Sequence, residues 1–194
     1  MVNRIRRDQC CGIIVDVQEF FLAQLDKRLR PKIEANTRNL ATLLGYFRIP
    51  VVVTLERPVR HKGRLPRRIV NGLPDTAASF EKDFFDLTKE DAIRSHLKGL
   101  KKKQAIVAGC ETDVCVLQSC LGLLELGYQV FLVEELLFSS AANVDAAIAR
   151  LKCEGAVFVS YKTVFYELFE AVETGEDELV AQFGPVPDLP DAAV

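Results

Sequence analysis

Five short apolar runs, at residues 10–17, 51–55, 104–108, 128–133 and 156–160, alternate with stretches of helical periodicity. A sixth, shorter candidate strand lies at 80–82. This alternation narrows the fold more than any other feature. Strands joined by helical crossovers form a parallel sheet with helices on both faces, so the fold class is α/β. The intervening helices are read at 31–47, 88–99, 112–126, 140–153 and 163–172. In the first, Ile33, Thr37, Leu40, Leu44 and Phe47 mark one face, and Pro31 suits an early helical position. Thr88 opens the second, with Asp91 as the far half of a capping box. Gly127 closes the third as a C-terminal cap, and Ser140 caps the fourth.

A chain of 194 residues is large enough for one domain with a continuous core. We divide it into a domain over 1–172 and an arm over 173–194 that is first acidic and then proline-rich, at Pro185, Pro187 and Pro190. The formal net charge of −2 argues against a nucleic-acid partner. Arg4, Arg6 and Arg7 precede an apolar stretch that Asp16 interrupts, which is too short for a secretory signal or a membrane span. The six cysteines show neither metal-site spacing nor a disulfide framework and read as reduced thiols, which points to the cytoplasm.

The chemistry-bearing stretch is QAIVAGCETDVCVLQSC, residues 104–120. It reads as a buried strand ended by Gly109, then a sharp turn into a helix. Cys115 falls in or just before the first helical turn, where free backbone N–H groups and the helix dipole favour a thiolate and can hold an oxyanion. Asp16 stands near the C-terminal end of the first apolar run, where ligands bind in open α/β sheets. A carboxylate on such a strand is costly unless it is paired or used. Lys82 lies among Phe80, Phe84 and Phe85, which reads either as an ammonium pointing into a cleft or as a solvated lysine, the commoner fate of the residue type. Residues 57–68 (RPVRHKGRLPRR) carry six Lys or Arg and read as a solvated or interfacial loop, or as a site for an anion. No GxGxxG follows the first strand, which argues against a dinucleotide.

Asp16 in VDVQEF, Lys82 in FEKDFF and the G-x-x-T-D-x-C-V turn from Gly109 to Val116 occur together and in this order. In this the chain resembles the isochorismatase-like cysteine hydrolases, which include nicotinamidase and N-carbamoylsarcosine amidase. The resemblance implies a three-layer α/β/α sandwich with a six-stranded, mostly parallel, Rossmann-like sheet. It also implies a catalytic triad of Asp16, Lys82 and Cys115. A cis peptide is implied between Cys110 and Glu111, with the backbone N–H groups of Glu111 and Cys115 as the oxyanion hole. The implied reaction is hydrolysis of a small-molecule amide or related C–N bond through a thioester on Cys115, with no cofactor.

Nicotinamidases of the family carry an Asp-x-His metal motif after the second strand. Here Glu56, Arg57 and Pro58 stand in its place, so no metal is expected and nicotinamide is disfavoured. Members commonly form dimers or tetramers, so a homodimer or homotetramer is expected. Two alternatives share the fold: a non-catalytic partner-binding protein, and a thiol redox sensor using Cys115 with Cys110 or Cys120.

Overall fold

The computed structural model describes residues 3–171. Its strands are β1 (Cys10–Val15), β2 (Val51–Glu56), β3 (Ala78–Lys82), β4 (Gln104–Cys110), β5 (Gln129–Phe138) and β6 (Val157–Val159). They form one sheet in the order β3-β2-β1-β4-β5-β6, and every pairing is parallel. The expectation of a mostly parallel sheet is thus tightened to a wholly parallel one. The chain winds outward from β1 in one direction through β3, then returns to start again at β4. The switch point of the sheet therefore lies between β1 and β4.

The helices are α1 (Glu19–Leu22), α2 (Leu29–Tyr46), α3 (Val59–Lys62), α4 (Arg67–Val70), α5 (Asp91–Leu100), α6 (Leu117–Glu125), α7 (Asp145–Cys153) and α8 (Tyr161–Phe169). Strand periodicity splits the core in two. From β1, Cys10 and Ile14 face a cluster that includes Leu40 and Leu44 of α2 and Val164 and Leu168 of α8. Cys11, Ile13 and Val15 face the opposite cluster, with Ile93 and Leu97 of α5, Cys120 and Leu123 of α6, and Leu151 of α7. A strand buried on both sides must be apolar throughout, which is why CCGIIV and QAIVAGC read as continuous runs rather than alternating ones.

Several local expectations are corrected. β4 does not stop at Gly109 but runs through it to Cys110. Gly109 has φ +131, and a Cβ there would lie 2.0 Å from the Val15 carbonyl oxygen. Glycine is therefore needed for the backbones of β1 and β4 to meet at the sheet's edge, not to end the strand. β5 extends well past Val133, to Phe138, after a register shift in its pairing with β4. Thr88 does not open α5. It lies in a 3-10 turn (Leu87–Lys89) capped by Asp86, and α5 begins after Glu90. Ser140 is not the cap of α7, whose N-cap is Val144. Ser160 is a true cap: its hydroxyl accepts from the Thr163 N–H at the start of α8. Residues 57–68 are not wholly loop, since α3 forms there and α4 starts at Arg67. The proposed arm at 173–194 and the domain boundary before it lie outside the described residues.

Candidate active site

All four chemistry-bearing side chains sit at the C-terminal edge of the sheet. Asp16 directly follows β1, Glu56 ends β2, Lys82 ends β3, and Cys115 lies in the turn after β4. Glu56 and Lys82 are register partners across β2 and β3, as Val15 and Gly109 are across β1 and β4. Parallel registry thus carries four residues distant in sequence to one point beside the switch.

Asp16 takes a left-handed backbone conformation, φ +50, which turns its side chain off the strand; aspartate tolerates this better than most residues. It is fully buried. Its N–H donates to the Thr54 carbonyl, and the Thr54 hydroxyl donates to Oδ1 at 2.8 Å. Lys82, also fully buried, brings Nζ within 2.7 Å of Asp16 Oδ2. That contact is a fully buried ion pair. Nζ donates to the Phe84 carbonyl at 3.1 Å and lies 3.5 Å from Cys115 Sγ and 4.0 Å from Glu56 Oε2. Ser119 on α6 fixes this corner, accepting from the Leu87 N–H and donating to the Phe85 carbonyl.

Cys115 does not occupy the first turn of an α-helix. Residues Thr112–Val116 form a π turn, closed by the Val116 N–H on the Glu111 carbonyl, and α6 starts beyond it. The Cys110–Glu111 peptide is cis. Cys115 is 1% exposed, and its thiol donates to Glu56 Oε2 at 3.1 Å. Burial pushes this thiol well above its ordinary range, and the Asp16 charge adds to the shift, with Lys82 opposing. Desolvation and the two neighbouring carboxylates thus favour the thiol, while Lys82 favours the thiolate. Asp16 is raised, again chiefly by burial and against the pull of Lys82. Burial works against the Lys82 ammonium, yet Asp16, Cys115 and Glu56 together raise it.

Glu56 was legible in sequence only as an empty metal position. In the structure it joins the thiol. Its backbone is clamped by the buried Gln18, whose Oε1 accepts from the Glu56 N–H at 2.7 Å and whose Nε2 donates to the Glu56 and Gly63 carbonyls. Its Oε1 is ion-paired with Lys62 of α3. Burial favours the neutral acid, but Lys62, Cys115 and Lys82 together lower its pKa. Asp16, Glu56 and Cys115 offer three ligand atoms within 4.8 Å of one another, the geometry of a small cation site. Lys82 Nζ stands against all three, so the donor set already faces a cation and does not fit a second.

The other sequence candidates are placed elsewhere. Among the remaining cations of 57–68, Arg57 pairs with Glu81 and Asp83, and Arg64 with Glu81. His61 is exposed and accepts from Arg60, while His96 packs on the Phe80 ring at 5.2 Å. Phe138 belongs to the core, and its carbonyl accepts from the Thr112 hydroxyl. All six cysteines are free. No helix among the described residues is long and apolar enough to cross a membrane.

The isochorismatase domain profile matches residues 10–163. The secreted isochorismatase effector Isc1 of Phytophthora sojae is 31% identical over 159 residues, covering 80% of this chain and 74% of that protein. A structure described as the MAR1 ribonuclease of Caenorhabditis elegans superposes with TM-score 0.88 at 24% identity, covering 99% of this chain and 97% of its own. The Escherichia coli YcaC product, described as an octameric hydrolase of unknown specificity, gives TM-score 0.87 at 24% identity and covers 97% and 94%.

Proposed function

The chain belongs to the isochorismatase family, and on that premise we propose that it is a cysteine-dependent hydrolase of a small-molecule amide or related C–N bond. The observation that carries this reading is the meeting of the Cys115 thiol, the Asp16 carboxylate and the Lys82 ammonium in one buried cluster. The Asp16 carboxylate, within 4.8 Å of the sulfur, takes the thiol proton as Sγ bonds to the carbonyl carbon. The carbonyl π pair moves onto oxygen, where the backbone N–H groups of Glu111 and Cys115 hold it. Such donors are worth about 2.7–4 kcal/mol each in the transition state. Collapse expels the nitrogen with the proton that Asp16 returns, leaving a thioester. Water then gives a proton to Asp16 as its oxygen adds to the thioester carbon, and collapse expels the sulfur, which takes that proton back. Lys82 touches both the acid and the sulfur, so it stabilises whichever bears the charge. No step calls for a cofactor.

Self-association fits the octameric description of the YcaC neighbour, and we extend it to this chain as a homo-oligomer. Six free thiols support a reducing, cytoplasmic location.

The test is a panel of amides, carbamoyl compounds and ureides, with single-stranded RNA included because the C. elegans neighbour is described as a ribonuclease. Wild type is expected to turn over at least one C–N substrate, and Cys115→Ala to lose at least about a thousand-fold in kcat. Acid-quenched wild type should carry the acyl group on the Cys115 peptide. Full activity in Cys115→Ala, or cleavage of RNA alone, overturns the proposal.

A further inference from the structure

The Glu56–Lys62 pair is more elaborate than a triad needs. Glu56 Oε2 accepts the thiol hydrogen, while Oε1 is held by Lys62 and the backbone by Gln18. Only one end of this carboxylate faces the sulfur, and that end is free of Lys62. Once the thiol proton has left for Asp16, Oε2 has lost its donor. It then lies 3.1 Å from the sulfur that bonds the substrate, an acceptor open to a donor on the attacked carbon.

Resting on the nucleophile role proposed for Cys115, we infer that Glu56 is a specificity-determining residue: its Oε2 accepts an N–H carried by the carbon that Cys115 attacks, so an acyl group bearing that N–H is favoured over the matching ester. An ionised carboxylate can only accept, so it reads a donor and is set against the lone pairs of an ester oxygen. Lys62 and Lys82 keep Glu56 in that ionised form despite its partial burial. Gln18 and Lys62 fix where Oε2 points, which makes the reading geometric as well as electrostatic. In the resting protein the thiol hydrogen occupies the position that the substrate N–H later takes.

The test needs no knowledge of the natural substrate. Wild type and Glu56→Met, which keeps side-chain length and removes both oxygens, are treated with para-nitrophenyl carbamate and para-nitrophenyl methyl carbonate. The two reagents share a leaving group and differ only in NH2 against OCH3 on the attacked carbon. Peptide-resolved mass spectrometry gives the acylation rate at Cys115 and at the exposed Cys153, whose carbamate-to-carbonate ratio records intrinsic reactivity. In wild type the ratio at Cys115 should exceed that at Cys153 by about ten- to a hundred-fold, the scale of one hydrogen bond to a charged group. In Glu56→Met, with the fold verified by circular dichroism, the two ratios should agree within about three-fold. Equal ratios in wild type overturn the inference whether or not the variant folds. So does a preference that survives in the folded variant. Acylation of Cys153 by both reagents and of Cys115 by neither sinks the nucleophile reading itself, and this inference with it.

Discussion

Replacing Lys82 with methionine isolates the electrostatics of the cluster from its packing. The two side chains have similar length, so the apolar stem is retained and the ammonium lost. In the wild type Nζ lies 2.7 Å from Asp16 Oδ2, and both side chains have no solvent exposure. Breaking a buried pair by removing one partner leaves an uncompensated charge and costs about 3–5 kcal/mol. For a chain of this size that is a fall in Tm of about 6–20 °C. The cost should depend on pH, with a definite sign. Asp16 is already raised by burial, and without Lys82 it rises further. Its folded pKa then lies above the unfolded value near about 3.9, so the folded state holds the proton more tightly. Stability is fully present below the unfolded pKa and is lost as pH climbs through the folded one. Urea unfolding of wild type and Lys82→Met at about pH 5 and about pH 8 should therefore give a larger difference at the higher pH. A difference under about 1 kcal/mol, or one equal at both pH values, refutes the claim that Lys82 neutralises a buried carboxylate.

Gly109→Ala places a Cβ against the Val15 carbonyl at a φ that alanine rarely adopts, and should cost at least about 3 kcal/mol. A Tm within about 2 °C of wild type contradicts the close approach of β1 and β4. Alkali should also unfold the protein early. Burial raises Cys10 and Cys11 to about 12 and raises Cys110 and Cys120 as well, whereas unfolded thiols ionise near about 8.5. Each such thiol is a stabilising proton that the unfolded chain gives up. Stability should fall by about 1.4 kcal/mol per thiol per pH unit above about 8.5, up to the folded pKa. Urea midpoints under reductant that match at about pH 8 and about pH 10 would falsify this.

The parts of this molecule that are legible in its sequence share a property: they break a local pattern. Asp16 is a charge ending an apolar strand, and Gly109 to Val116 is a compact turn motif between a strand and a helix. Lys82 is only weakly marked by its Phe80, Phe84 and Phe85 neighbours, because β3 is an edge strand with little apolar signal of its own, and its role is implied by the family resemblance. Glu56 carries the signal that exposes Asp16, a carboxylate closing the apolar run VVVTLE, but its place in a metal motif conceals it. Thr54, a hydroxyl inside that run, is a second cue to the same corner. Lys62 is one cation among six, and nothing in local sequence separates it from Arg60 or Arg64. Only the fold of α3 decides which one turns inward. The starts of α5 and α7 are misplaced in a sequence reading because Thr88 and Ser140 have good capping chemistry, while tertiary contacts assign the caps elsewhere.

A buried thiol with a raised pKa is a poor acid, which at first sight argues against its use as a nucleophile. The same burial, however, raises Asp16 and so makes it a stronger base. Proton transfer from Cys115 to Asp16 exchanges one buried anion for another against a single ammonium that lies 2.7 Å from the first and 3.5 Å from the second. The net charge of the cluster is unchanged by the transfer, so the desolvation of an ion is not incurred anew when the sulfur becomes charged. A helix dipole acting on an exposed cysteine would instead yield a standing thiolate, open to oxidation and to any electrophile in solution. On the nucleophile role proposed for Cys115, a thiol held neutral until a carbonyl arrives would couple activation to binding, with Lys82 shared between the acid and the sulfur as the balancing charge.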